Sequence, residues 1–436
     1  NNGINDFTVC VQDKSDHSYH AKGKQRLKRG GMYYTAQSGI WQTVWLEEVP
    51  EVYIKDVKIV PDFDNDEISM TIIFNQASDQ LIKVKIEGEE EISFSSTGKI
   101  IDKKIKITNK KPWSPDTPYL YTLTITTNND KVDSYFAMRT FTIENDKDNI
   151  PRVCLNHKPI FMHGVLDQGY WSDGLYTAPS DKALVYDIET IKKLGFNTIR
   201  KHIKIETARW YYHCDRLGII VWQDMVNSGS PYHPLIVTYL PTLFKSLRKR
   251  TSDKHRYLLA RNDKINRQEF INECKETINY LSHFPCISTW VLFNEGWGQF
   301  DTVELTKYLR TLDPTRLIDS ASGWFDQNCG DFRSEHYYFD KPKIIPDKRA
   351  FVISEYGGYA YQVKNHVSTN NIYGYQNYDS KEQFQKEYQE LLNSTIFPLI
   401  EKGLCGAIYT QLSDIEDEIN GLLTYDREVC KLDIDK

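Results

Sequence analysis

No apolar run in the 436-residue chain approaches the ~18 residues needed to span a membrane. Eight cysteines, at positions 10, 154, 214, 274, 286, 329, 405 and 430, stand singly with no C-x-x-C pair, which removes a zinc knuckle and a dithiol redox motif from consideration. Reduced, buried thiols are the expectation, and with them a cytoplasmic location; periplasmic export or secretion is the alternative. Basic excess is missing as well: 54 Lys and Arg against 60 Asp and Glu leave a net charge of -6, an argument against nucleic acid or anionic membrane as a general partner. Internal repeats and low-complexity tracts are absent. The chain opens Asn1-Asn2-Gly3 without Met or a charged-then-apolar leader, the pattern of a processed or truncated product.

The length allows two or three domains, each large enough to bury a core without disulfides. Residues 1–50 hold strand-like pieces, Asp6 to Gln12 and Ile40 to Leu46, around a basic Gly-rich loop from Lys22 to Gly31. Residues 51–145 alternate with a period of two: Val57 and Ile59, then Ile68, Met70, Ile72 and Phe74, then Ile82, Val84 and Ile86, then Leu120 to Ile125. That rhythm, broken by Asn/Asp/Gly turns, predicts an antiparallel β-sandwich.

Residues 146–436 change to strands alternating with helices. Ser180 caps a helix whose Leu184, Ile188 and Ile191 share a face and which stops at Gly195; further helices are predicted over Thr207 to Leu217, Gln268 to Ser282, Val303 to Leu312 and Lys381 to Leu392. Short strands between them give about eight β/α units, which fits a (β/α)8 TIM barrel. Lys245, Arg248, Lys249 and Arg250, in the long excursion from Met225 to Asn266, read as a solvated loop or helix.

In a TIM barrel the chemistry gathers at the carboxyl ends of the strands. The run Ser288 to Phe300 (S-T-W-V-L-F-N-E-G-W-G-Q-F) is a buried-strand sequence that stops at Asn294-Glu295, and Ala350 to Gly358 (A-F-V-I-S-E-Y-G-G) has the same grammar around Glu355. Two strand-end carboxylates facing one cleft suit cleavage of a glycosidic bond. The 28 Tyr and 9 Trp agree with this, since aromatic faces stack on the C–H faces of pyranose rings.

N-E-G-W-G-Q and I-S-E-Y-G-G, with F-N-T-I-R-K-H (Phe196 to His202) before them, resemble glycoside hydrolase family 2, the family of β-galactosidases, β-glucuronidases and β-mannosidases. P-W-S-P-D-T-P-Y-L-Y (Pro112 to Tyr121) and F-A-M-R (Phe136 to Arg139) resemble the family's immunoglobulin-like sandwich. S-G-I-W-Q-T-V-W-L-E (Ser38 to Glu47) is similar to the last strands of its amino-terminal jelly-roll sugar-binding domain, most of which is absent here. The resemblance implies Glu295 as general acid/base and Glu355 as nucleophile, with Arg200 keeping Glu355 ionised, Asn294 on a sugar 2-hydroxyl, His202 on another hydroxyl, and His336 and Tyr338 beside the nucleophile. Ser334 stands where the family's segment usually has Asp. Two such carboxylates close together repel, so Glu295 is expected to hold its proton while Glu355 is ionised.

Asp167, Gln168 and Trp171 after the first barrel strand, Gln223 and Asp224 after the third, and Trp297, Trp324 and Gln411 complete the pocket candidates. Family glucuronidases hold the substrate carboxylate with an Asn-x-Lys element, whereas this chain has Asn420-Gly421-Leu422, which disfavours a uronic acid. A retaining exo-glycosidase of β-galactosidase type, acting on carbohydrate without cofactor or metal, is the expectation, and a homo-oligomer is left open. The rival readings are an idle carbohydrate-binding protein on the same scaffold, a metal-dependent barrel hydrolase, and a structural fragment of a larger assembly.

Overall fold

The computed structural model describes residues 6–244, 246–247 and 251–433. The basic cluster at Lys245, Arg248, Lys249 and Arg250 lies outside the described residues.

The alternating segment forms seven antiparallel strands in two sheets. One sheet has the order β1 (Ile54–Asp62), β2 (Glu67–Phe74), β5 (Ile100–Lys106); the other has the order β4 (Ile92–Ser96), β3 (Gln80–Ile86), β6 (Tyr121–Thr126), β7 (Lys131–Phe136). Every second residue of β2 and β3 is buried, so Ile68, Met70, Ile72 and Phe74 meet Ile82, Val84, Ile86, Leu123 and Ile125 in one core.

Eight parallel strands follow: β8 (Met162–Asp167), β9 (Thr198–Lys201), β10 (Ile220–Asp224), β11 (Ile287–Val291), β12 (Leu317–Asp319), β13 (Phe332–Tyr337), β14 (Ala350–Gly357) and β15 (Leu404–Thr410). Their order, β12-β11-β10-β9-β8-β15-β14-β13, closes almost completely into a barrel. The remaining seam, between β12 and β13, is stitched by Asp331, whose amide donates to the Ile318 carbonyl at 2.9 Å and whose carboxylate accepts from the Ile318 amide at 2.7 Å.

Five longer helices cover the barrel: α1 (Asp181–Lys193), α2 (Ala208–Leu217), α3 (Lys264–Leu281), α4 (Thr302–Leu312) and α5 (Lys381–Glu390). The expected TIM barrel is present, with two of its connections lacking a helix. Among the described residues no helix separates β12 from β13 or β13 from β14; these connections run through Gly323, Gly330, Pro342 and Pro346. Ser180 caps α1 by accepting from the Ala183 amide, as expected. Helix α3 begins four residues before its expected start because Asp263 caps it, accepting from the Asn266 amide.

Neither Asp6 to Gln12 nor Ile40 to Leu46 is a strand. Phe7, Val9, Val11, Val44, Trp45 and Leu46 are exposed, and a strand-like sequence with no neighbouring strand to pair with has nowhere to place its backbone hydrogen bonds except water. The basic loop between them is closed on itself by a two-residue parallel pair, Gln25–Arg26 with Tyr34–Thr35, and is held to the barrel by the Lys22 and Gly23 amides, which donate to Asn227 O. The eight cysteines form no disulfide, and no described helix is long and apolar enough to cross a membrane.

Candidate active site

The chain leaves β11 at Val291 but keeps running beside the extension of β12. The Leu292 amide donates to Asp319 O, Ser322 N to Phe293 O, and Glu295 N to Ser322 O at 2.9 Å. Glu295 itself has φ +50°, a left-handed conformation that a non-glycine residue holds only when its surroundings impose it, and such residues gather at functional sites.

Glu355 lies within β14. Against both neighbours this strand carries one extra residue: on one side Glu335 pairs with Ile353 and His336 with Glu355, and on the other Ala407 pairs with Ile353 and Tyr409 with Tyr356. A bulge of this kind re-aims a side chain. Here it releases the Ser354 carbonyl to accept from Arg200 at 3.0 Å.

One oxygen from Glu295, one from Glu355 and a nitrogen of His336 lie within 4.8 Å of one another. His336 Nδ1 is 2.9 Å from Glu295 Oε1 and 3.5 Å from Glu355 Oε2, while its Nε2 meets Ser322 Oγ at 2.9 Å. Gly323, at φ +83°, is required beside this ring, since a Cβ there would come within 2.6 Å of His336 Nδ1.

Arg200, fully buried at the end of β9, organises the rest. It grips Asp224 with Nε and Nη2 at 2.9 and 3.0 Å, donates through Nη1 to Glu355 Oε1 at 3.1 Å, and through Nη2 to Asn294 Oδ1 at 2.8 Å. Tyr338 donates to the other Glu355 oxygen at 2.5 Å. Burial disfavours charge on Glu355, but the adjoining His336 and Arg200, with His202 and the Tyr338 hydroxyl, outweigh it and hold the carboxyl well below the usual carboxylate range. The Glu295 side chain retains 16% exposure and that of Glu355 7%.

The other candidates divide into two groups. His202 Nδ1 donates to Asp224 at 2.6 Å, and burial, aided by Lys24 and Arg200, pushes that imidazole well below its ordinary pKa. Trp324 tilts against His336 with ring centres 5.5 Å apart, and Trp297 stacks between Tyr33 and Tyr232. Gln168 donates to Tyr34 and Gln411, both at 2.6 Å.

Asp167 is a correction: its carboxylate meets Lys201 Nζ at 2.5 Å, and that amine sits 4.0 Å over the Trp210 ring of α2, so the pair lies between barrel and helix. Gln223 is likewise engaged away from the carboxylates, accepting from Tyr211 and donating to the Lys204 and Asp224 carbonyls. Trp171 packs under Arg427.

Ser322, Ser334 and Ser354 were not among the candidates. They link through their hydroxyls to Asp319 behind the carboxylates, and of the three only Ser334, standing where the family's segment usually has Asp, had been singled out in the sequence. Nor does the sequence show that Lys24, Tyr33 and Tyr34 reach this mouth. A cavity of about 450 Å³ between the N-terminal segment and α3, lined by Trp41, Ile205, Phe270 and Tyr280 among others, holds neither carboxylate.

Residues 147–398, more than half the chain, match the model of the "Glycosyl hydrolases family 2, TIM barrel domain", and residues 52–139 match that of "Glycosyl hydrolases family 2". The chain belongs to glycosyl hydrolase family 2. Among its relatives is a β-galactosidase of Leuconostoc mesenteroides, 22% identical over 86% of this chain and 37% of that protein. A second, from Lactococcus lactis, is 27% identical over 47% of this chain and 21% of its own length. The chain thus spans well under half of these relatives. Solved structures share the fold at low identity. A β-galacturonidase of Eisenbergiella tayi bound to galacturonate gives a TM-score of 0.64 at 16% identity, covering 88% of this chain and 71% of that one. A β-glucuronidase of Parabacteroides merdae gives 0.66 at 16% identity over 91% of this chain and 53% of the other.

Proposed function

We propose that this protein hydrolyses terminal β-linked sugars with retention of configuration, by double displacement on Glu355 and Glu295. The observation that carries the proposal is the approach of the two carboxylates to within 4.8 Å, the short separation that distinguishes a retaining pair from the wider inverting one. The unequal surroundings divide the roles. Glu355, facing Arg200 and accepting from Tyr338, is held as an anion and attacks the anomeric carbon. Glu295, the more exposed of the two, protonates the glycosidic oxygen as its bond to that carbon breaks. Water, deprotonated by Glu295, then attacks the same carbon and returns Glu355 as carboxylate. Asn294, whose oxygen is occupied by Arg200 and whose amide nitrogen donates to no described residue, is placed to donate to a ring hydroxyl.

A galactose-configured ring is the first candidate, supported by the β-galactosidase relatives, with other family 2 specificities as the alternative. The test is a panel of 4-nitrophenyl β-glycosides on wild type, Glu355→Gln and Glu295→Gln. Glu355→Gln should abolish turnover and escape labelling by a 2-deoxy-2-fluoro glycoside that modifies the wild type. Glu295→Gln should lose about 10²–10⁴-fold on poor leaving groups and less on dinitrophenolate. Undiminished turnover by Glu355→Gln would refute the mechanism. Glu295, His336 and Glu355 could also ligate a cation. Arg200 and Tyr338 already occupying the Glu355 oxygens favour the metal-free reading, and loss of activity in EDTA would reverse that preference.

A further inference from the structure

The basic Lys22–Gly31 loop has no part in the reaction just described, yet it is clamped onto the barrel mouth. The Lys22 and Gly23 amides both donate to Asn227 O, at 3.2 and 3.3 Å, and Lys22 Nζ donates to the Ser18 and Gly229 carbonyls at 3.0 Å each. Gly23, at φ +60°, lies so close to the loop after β9 that a Cβ would fall 2.9 Å from Ile203 O. The Tyr34 amide donates to Lys24 O at 3.0 Å, closing the other side. The backbone of Lys24 is therefore fixed on three sides.

Its side chain is only 8% exposed, with Nζ 5.8 Å from the Trp297 ring centre and 5.9 Å from that of Tyr34. Trp297 is two residues beyond Glu295. Lys24 is also close enough to His202 to disfavour its protonation. Among the described residues no carboxylate lies within 4.0 Å of Lys24 Nζ and no acceptor takes a hydrogen bond from it. By contrast Lys201, Lys204 and Lys431, which are buried more deeply, each have a carboxylate partner, and Lys22, buried to the same extent as Lys24, gives its amine to two carbonyls. An amine cation largely withdrawn from water, with no carboxylate beside it and held next to Trp297 and His202, is a site for an anion brought by the ligand.

We propose that Lys24 is the specificity residue of this site and receives an anionic substituent of the terminal sugar: the carboxylate of a uronic acid or a sulfate ester. This rests on the glycosidase reading above and narrows its substrate class. The experiment compares 4-nitrophenyl β-galactoside, β-galacturonide, β-glucuronide and 6-sulfo-β-galactoside as substrates of the wild type, Lys24→Met and Lys24→Arg. In parallel, titration calorimetry measures binding of galactose, galacturonate, glucuronate and galactose 6-sulfate.

An acidic substrate should exceed the neutral galactoside in kcat/KM. Lys24→Met should lower that acidic kcat/KM about 100-fold, chiefly through KM, with a much smaller loss on the neutral substrate, and Lys24→Arg should restore part of the preference. The carboxylate and sulfate substrates separate the two anion sources. Equal losses on acidic and neutral substrates, or acidic sugars bound no more tightly than galactose by the wild type, would overturn the assignment. Lys24-dependent binding of an acidic sugar without any turnover would uphold it and reject the hydrolase reading instead.

Discussion

At the scale of single residues, the mechanism proposed above needs one buried carboxylate kept charged beside another that holds a proton. Arg200 achieves the first part because Asp224 takes two of its N–H groups and so aims the remainder at Glu355, Asn294 and Ser354. Tyr338 adds a hydrogen bond that exists in full only when Glu355 is ionised. The sign of the pH effect follows. Since the Glu355 carboxyl is held below its usual range, the nucleophile stays ionised, and kcat/KM is maintained, until the pH falls well beneath that of an ordinary glutamate. Tyr338→Phe removes a hydrogen bond to a charged acceptor, worth about 1.5–3 kcal/mol, so the Glu355 pKa should rise by about 1–2 units. The acid limb of the kcat/KM profile should move to higher pH by the same amount. A limb that stays in place would mean that the tyrosine packs against the nucleophile without supporting its charge.

At the scale of elements, what could be read in the sequence was whatever is encoded locally. Glu295 and Glu355 stood out because each follows an apolar run too buried to keep a carboxylate, and helix α1 because Ser180 and Gly195 punctuate it. The strands of the sandwich were legible from a period-two pattern that their burial reproduces. The bulge at Ser354 left no trace in composition, and Lys24 gave none beyond a basic loop, because both depend on pairings with residues far away in the chain. The exposed apolar residues around Trp45 show the converse: a strand-like sequence is not a strand without a neighbour. The nearly closed β12–β13 seam is another long-range feature, and Asp331 is its one carboxylate bridge to the Ile318 amide, while also pairing with Arg310. Asp331→Ala leaves that amide without its acceptor in a poorly hydrated place, at a cost of about 1–3 kcal/mol. Thermal unfolding should report a Tm lowered by a few degrees, about 2–4 °C per kcal/mol if the barrel melts as a unit of this size. An unchanged Tm would show that the seam is already hydrated and contributes little.

At the scale of the whole molecule, one buried acid gathers several of the hydrogen bonds that join the sandwich to the barrel. Asp215, on α2, accepts from Tyr135 of β7 at 2.7 Å and from the Cys286 amide at 2.6 Å, while its carbonyl takes the Trp113 indole N–H at 2.8 Å; Arg139 adds a donor to Pro285 O. Complete burial is the main reason that the Asp215 carboxyl is raised to about 7, the hydrogen bonds from Cys286 and Tyr135 recovering only part of the cost. A carboxyl raised on folding binds its proton more tightly in the native than in the unfolded chain. Its contribution is therefore fully present below the unfolded value near 3.8 and is lost as the pH rises through about 7. The slope for one proton is at most about 1.4 kcal/mol per pH unit. Asp215→Asn cannot titrate, and it also replaces one of two acceptor oxygens with a donor, so it should be less stable than wild type at every pH. The gap should be larger at pH 5 than at pH 7.5, by about 2–3 kcal/mol. Denaturation of both proteins at the two pH values measures this difference directly, because Asp319, Asp414 and Glu273, which are also raised by burial, are common to both and cancel. A gap that is the same at both pH values would show that Asp215 is already ionised in the native interface, and that the sandwich is held to the barrel by a charged acceptor and not by a protonated one.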